Sequence, residues 1–321
     1  QTYLRISGIG LFPALWVMVL RSYLSALEHL RVVLVVSVLV LIINAIVSYG
    51  LIFGRLGLPE WGLVGAAVAA VIVQGLSLIG FVAYIQMRLA DQNMFVRFWR
   101  ADPDAMWSVA RLAVPISVTA LAESGLFAAS AFMMGALGKI ELGSHALVLQ
   151  FAALTFMIHL GLSQAATVLA GREFARRDRS ALALTGATSM AVSAMISMVV
   201  IGVFLTLPDL LIGSVVDKAD PDAAAIVTLG VWLMVMAAAF QFVDGAQVMA
   251  LGILRGMQDT KGPMWIASIA YWVIGMPVGY YLAFETPLRE TGVWLGLVVG
   301  LALTAVLLWW RFIDAIRKMP S

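Results

Sequence analysis

Two acids stand where a charge is expensive. Glu123 lies in Ala120-Leu121-Ala122-Glu123-Ser124-Gly125, and Asp244 lies in Phe240-Gln241-Phe242-Val243-Asp244-Gly245-Ala246-Gln247. Each is two or three helical turns from the nearest charged stretch, too deep for a short side chain to reach water. Acids at such depth mark ion pathways, proton relays or counter-charges for a substrate. No Lys or Arg shares their depth, so no base is at hand to neutralise them. The structural alternative is an acid bonded to a neighbouring Ser, Gln or backbone group. Two carboxyls in one low-dielectric cavity disfavour each other's ionisation. Such a pair can hold a proton, or ionise when an inorganic or organic cation arrives. Competition of coupling ion and substrate for the same negative charge is the physical basis of antiport.

Gln241, Asp244 and Gln247 follow one another at i, i+3 and so share one side of a helix. A polar stripe on a membrane span faces the protein interior or a water-filled cavity. Gln241, Gln247, Gln150, His159, Tyr271 and Asn44 are the candidate cavity-lining residues, the alternative for each being a hydrogen bond between helices. Gln74, Ser163 and Gln164 are further polar residues inside spans, and His159 and Ser163, at i, i+4, suggest a local hydrogen bond. His29, His145 and His159 have no metal-site spacing and give no metal signature. No phosphate-cradling glycine loop, His-Glu-x-x-His pair or nucleophile elbow is present, so nothing points to an enzyme. No cofactor is expected.

The elements that must carry these residues are membrane helices. Of the 321 residues 62% are hydrophobic and only 12% are charged, too few polar groups to cover a water-facing surface. The net charge of +2 comes with no basic stripe interleaved with aromatics, so no nucleic-acid partner is expected. Cysteine is absent, which removes disulfides and thiolate metal sites. Nine apolar runs are long enough to cross a bilayer, at about 4–27, 32–54, 62–87, 108–137, 143–171, 181–207, 223–254, 264–284 and 292–310. They are too long and too continuous for barrel strands. Pro13, Pro115 and Pro277 lie in or near the starts of spans, where proline kinks or breaks a helix. The connections, among them 54–61, 87–104, 172–180 and 208–222, collect the charges, and the acidic 217–222 reads as a solvated turn.

Fifteen of the 20 basic residues fall on one side of this nine-span arrangement and five on the other. Lys and Arg gather on the cytoplasmic side, which predicts a cytoplasmic C-terminus in the inner membrane and an external first residue. The chain also repeats weakly. Gly62-Leu63-Val64 resembles Gly292-Val293-Trp294, and Ser48-Tyr49-Gly50 resembles Gly279-Tyr280-Tyr281, both at an offset of about 230 residues. Internal repeats suit alternating access, in which one half rocks against the other. Six spans follow residue 108 but only three precede it, so the expectation is a chain lacking about three helices at its front.

The stretch from Phe240 to Gln247 and the loop Leu254-Arg255-Gly256-Met257-Gln258-Asp259-Thr260-Lys261 resemble the multidrug and toxic compound extrusion (MATE) transporters, in their bacterial NorM-type branch. Ala122-Glu123-Ser124-Gly125, Ser144-His145-Ala146, the run Leu160 to Thr167, and Tyr271-Trp272 through Tyr280 fit the same pattern. The resemblance implies an all-α fold of twelve helices in two six-helix lobes. Residues 1–87 would be the last three helices of the N-lobe, 88–107 a cytoplasmic linker and 108–321 a complete C-lobe. It also implies export of small organic cations across the lipid bilayer in exchange for a coupling Na⁺ or H⁺, by a monomer when full length, with the cation-site acids, where a Na⁺ would bind, at Glu123 and Asp244. The family pattern has Tyr where this chain has Phe240, which removes one oxygen from a Na⁺ shell. Alone, the chain is expected not to transport. A lipid-linked oligosaccharide flippase of the same superfamily would need bases lining its cavity, and a non-transporting scaffold would need no buried acids.

Overall fold

The computed structural model describes residues 2–27, 29–89, 101–216 and 221–319. Among these residues the secondary structure is helical, with no strand. Among the described residues nine helices are long and apolar enough to cross a membrane, from Gly8–Ala26 to Arg289–Lys318. In a bilayer a helix satisfies every backbone group within its own segment, which is why runs this apolar take this form. Most of the linker expected at 88–107, residues 90–100 with Arg97 and Arg100, lies outside the described residues, as do residues 217–220 of the acidic turn.

The chain divides into two compact units, Gln1–Ala101 and Asp102–Ser321. The first holds α1 (Thr2–Ala26), α2 (Leu30–Phe53) and α3 (Gly62–Arg88). Its small core is built from Val17, Leu20, Leu24, Phe81 and Ile85. Gly65 lets α3 approach α2 so closely that a Cβ there would stand 2.4 Å from the Leu51 carbonyl oxygen. Gly54 ends α2 in the left-handed conformation at φ 64°, a backbone shape that costs glycine nothing.

The second unit holds α4 (Pro103–Leu137), α5 (Lys139–Ala175), α6 (Arg179–Thr206), α7 (Pro208–Val215), α8 (Ala223–Gly256), α9 (Lys261–Ile269), α10 (Met276–Phe284) and α11 (Arg289–Lys318). Asp102 and Asp178 cap α4 and α6 by accepting hydrogen bonds from the N–H groups of Ala105 and Ala181. Two features depart from the sequence reading. The connection 208–222 contains the short helix α7, with Pro208 in its first turn. The eighth span is broken in its middle by a π-helical turn, Ala270–Gly275, with Pro277 following in the first turn of α10. The wider π turn accompanies the close packing of Gly275 on α11, where an added Cβ would lie 2.9 Å from Gly300 Cα.

Helix α8 is the axis of this unit. From Phe240 to Leu254 all but Phe242 and Val243 are buried. Its glycines let α5 close upon it: a Cβ on Gly252 would meet Ser163 Oγ at 2.2 Å, and one on Gly256 would meet the Thr167 carbonyl at 2.4 Å. Across that seam Ser163 and Thr167 donate to the carbonyls of Val248 and Gly252, each at 2.8 Å. Charge pairs then tie the two ends of the bundle. Lys139–Asp222 (2.8 Å) and Arg289–Glu141 (2.7 Å) join α5 to the starts of α8 and α11 at one end. At the other, Arg311 grips Asp259 through Nε and Nη2 at 2.5 and 3.1 Å.

Candidate functional site

Glu123 sits midway along α4 and Asp244 two-thirds along α8, both in the second unit. Asp244 is 1% exposed and Glu123 half-buried. Gln247 links them: it shares a face of α8 with Asp244, and its Nε2 donates to Glu123 Oε1 at 3.1 Å. Neither Glu123 nor Asp244 has a salt-bridge partner among the described residues.

Neighbouring elements hold this pair in place. Trp272, on the π turn, packs over Gly125 of α4 and donates its indole N–H to the Ala122 carbonyl at 3.2 Å, one residue from Glu123. That contact turns the preceding Tyr271 inward, where it is fully buried. Gln247 and Thr304 lie close to the Tyr271 hydroxyl, yet no hydrogen bond of good geometry forms there. On α11, Trp309 donates to the Ala246 carbonyl at 2.9 Å and fixes α8 at the level of the acids.

Buried polar atoms without a partner are rare in folded proteins, and each calls for a reason. Here they gather in one region. They are both oxygens of Asp244, both amide atoms of Gln241, Gln247 Oε1, the Tyr271 hydroxyl, Trp294 Nε1 and His145 Nδ1. The Asp244 carboxylate, the Gln247 amide oxygen one turn further along α8 and the Tyr271 hydroxyl near Gln247 are hard oxygen donors of the kind a small cation takes. They could equally hold a proton shared between carboxyls. Phe240 adds nothing to that set. Its ring is fixed by edge contacts with Phe127 (6.0 Å) and Trp294 (5.9 Å), so this position offers packing where a phenol would offer an oxygen. No cluster of three or more His, Cys, Asp or Glu with metal-site geometry occurs among the described residues.

Among the candidates read from the sequence, the structure brings Glu123, Asp244, Gln247 and Tyr271 together, with Gln241 one turn away on α8. His159 lies at the level of Asp244, packed against the neighbouring Gly245, but its ring is already bonded, with its Nδ1 on the Thr155 carbonyl (3.2 Å) and its Nε2 on Ser197 Oγ (3.1 Å). Gln150 is exposed on α5, and Asn44 belongs to the first unit, where it accepts from Ser48 at 3.2 Å. Sequence reasoning missed Trp294 and the bare nitrogen of His145. A tryptophan inside an apolar run carries no signal of its own, but a histidine beside Ser144 in mid-span was a polar residue open to the question asked of His159.

Comparison with known proteins gives this geometry a family. The MatE family model matches residues 115–281. The "Probable multidrug resistance protein NorM" of Rhizobium meliloti (strain 1021) is 43% identical over 99% of this chain and 69% of its own length. The protein of the same name from Agrobacterium fabrum (strain C58) is 41% identical over 98% and 68%. The chain thus spans about two thirds of the length of these relatives. A solved MATE structure in the straight conformation superposes with a TM-score of 0.87 at 18% identity, over 99% of this chain and 70% of that one. An outward-facing multidrug resistance MATE transporter of the MOP superfamily gives 0.85 at 18% identity, over 100% and 70%. At such identity the structures attest the fold, an all-helical membrane architecture. The NorM proteins carry the stronger statement, since their similarity covers nearly the whole sequence: this chain belongs to the MatE family, whose members are transporters rather than enzymes.

Proposed function

We propose that this chain works in multidrug efflux, exporting organic cations in exchange for Na⁺ or H⁺, with Glu123 and Asp244 as the coupling site. The observation that carries the reading is the unsatisfied carboxylate of Asp244, buried in mid-span one turn from Gln247, whose amide donates to a second acid, Glu123. A buried polar group with no partner is costly, and a site that is filled and emptied in each cycle keeps such a group for its ligand. Drug resistance named in relatives above 40% identity supports the substrate class. In this reading α1–α3 complete one six-helix lobe, residues 108–321 form the other, and the C-terminus faces the cytoplasm of the inner membrane, as the distribution of Lys and Arg favours.

Glu123→Gln and Asp244→Asn in the complete gene product are the test. Each should abolish resistance to cationic dyes and drugs while expression stays normal. Wild-type resistance in both variants would sink the proposal. Ion flux into proteoliposomes, followed in parallel with Na⁺ and pH indicators, then identifies the coupling ion.

A further inference from the structure

Helices α9 and α11 meet at the end of the bundle where Arg311 holds Asp259. Gly262, at the start of α9, lies so close to Arg311 that a Cβ there would collide with the guanidinium. Arg311 is near the end of α11, so the two helices run antiparallel. Lys261 and Trp310 each precede one of these seam residues by one position, about 100° of helical turn. In antiparallel helices equal turns away from the seam, in the same sense, emerge on one outer face. Exposure agrees on both helices. Lys261 is exposed, and Trp265, one turn on, is 63% exposed. On α11 Val306, Trp310, Ile313 and Arg317 recur at i, i+4, i+7 and i+11, and all four are exposed.

The charges at these two helix ends do not cancel. The cations Lys261, Arg311, Arg317 and Lys318 stand against the carboxylates of Asp259 and Asp314. Both carboxylates are taken, Asp259 by Arg311 and Asp314 by Lys318 at 2.6 Å. Lys261 and Arg317 are left without an ion-pair partner among the described residues. The tryptophans divide in a similar way. Trp309 turns inward and donates to the Ala246 carbonyl, whereas the exposed indoles of Trp265 and Trp310 donate to no acceptor among the described residues. Deeper along the same helices Ile269 and Val306 are 48% and 65% exposed. From the helix ends inward the order is therefore cation, indole, aliphatic side chain. Indoles settle at the headgroup level of a bilayer, and basic side chains beside it attract anionic lipid.

We infer that the outer face of the α9–α11 seam is a binding site for an anionic phospholipid. Lys261 and Arg317 hold its phosphodiester, the indoles of Trp265 and Trp310 donate to its phosphate and ester oxygens, and its acyl chains run down past Ile269 and Val306. A face inside the bilayer is covered by lipid whatever its charge, and the two unpaired cations select the headgroup. A zwitterionic headgroup brings its own ammonium, which they repel. A free phosphate ion lacks the chains that the indoles and aliphatic side chains take up. The site is independent of the coupling acids.

The test uses the complete gene product in detergent. A ligand that binds only the folded protein raises its melting temperature, so phosphatidylglycerol, phosphatidylcholine and inorganic phosphate are titrated separately. Phosphatidylglycerol should raise the melting temperature to a plateau, and the other two should not. Lys261→Gln and Arg317→Gln should each move half-saturation up about fivefold and leave the lipid-free melting temperature unchanged. Arg179→Gln, which removes another exposed cation at this end of the bundle, should leave half-saturation in place. No rise with phosphatidylglycerol, an equal rise with phosphatidylcholine or phosphate, wild-type half-saturation in Lys261→Gln or Arg317→Gln, or an equal shift in Arg179→Gln overturns the site. So does a protein dimer that Lys261→Gln dissociates, because the face would then belong to a second copy. If a charge variant does not fold, brominated lipids decide. Wild-type tryptophan fluorescence should be quenched more by brominated phosphatidylglycerol than by brominated phosphatidylcholine, and Trp265→Phe should lose part of that preference. Equal quenching by the two lipids, or a preference untouched in Trp265→Phe, overturns the site.

Discussion

Helix α5 carries two histidines that are equally buried and oppositely treated. Along the α5–α8 seam that starts at His159 the polar groups have a use: both of its ring nitrogens are bonded, Ser163 and Thr167 hold carbonyls of α8, and glycines close the space between helices. Around His145 and Asp244 the polar atoms are just as deep, yet eight of them across six residues have no partner. Burying a polar group is tolerable when its hydrogen bonds are made and costly when they are not. The first region spends its polarity on joining helices. The second carries unmet polarity, as a site does when its ligand is absent for part of a cycle.

That contrast can be broken by substitution. The largest effect belongs to Asp244→Asn, which should abolish transport while leaving thermal stability in detergent unchanged or raised, because it removes an unpaired buried carboxyl. A large fall in melting temperature would mean that the acid is structural. Next comes Gly252→Ala in the satisfied seam. Its Cβ would collide with Ser163 Oγ and, at 2.7 Å, with the Ser163 carbonyl, so a loss of about 1–3 kcal/mol is expected. Transport per folded molecule should be normal. His159→Phe should follow at about 1–2 kcal/mol, since it leaves the buried Ser197 hydroxyl without its ring partner. A change in its pH profile of transport, at unchanged stability, would erase the distinction between the two histidines.

The smallest effect sharpens the comparison from outside the spans. Asp178 is a carboxylate with its bonds made: the Ala181 N–H at 2.9 Å and the Ser180 hydroxyl at 2.8 Å hold it below the usual carboxylate range. A depressed folded value contributes stability above the ordinary carboxylate value, near 3.9, and that contribution is lost as pH falls through the folded value. Asp178→Asn keeps the cap on α6 and should flatten the acid-side decline in melting temperature by a small margin. An unchanged decline would show that other groups govern it.

Much of this arrangement is legible in the residues. Hydropathy reports the length of an apolar run, so the nine spans and their approximate ends follow directly, and the i, i+3 spacing of Gln241, Asp244 and Gln247 puts all three on one side of α8. What was not legible depends on partners distant in sequence. The π turn at 270–275 keeps the hydropathy of its span, and its reason is the close fit of Gly275 on Gly300. Helix α7 is too short to register as a span. The fate of each histidine was hidden for the same cause: His159 is satisfied by Ser197 on the next helix, and His145 meets Trp294 from the last. Spacing along one helix cannot show what another helix brings.

The central position of α8 also has a consequence for how the protein is made. A segment is handed to the bilayer in the order of synthesis, and an Asp near the middle of a span opposes insertion by about 2.5–3.5 kcal/mol. The rest of α8 is apolar enough to offset this. But Tyr271 on the π turn and Trp309 on α11, whose indole N–H holds the Ala246 carbonyl two residues from Asp244, are translated after it. For that interval the nascent chain carries a mid-span acid without these neighbours, and a chain halted before residue 289 would hold α8 in the bilayer with α11 not yet packed against it.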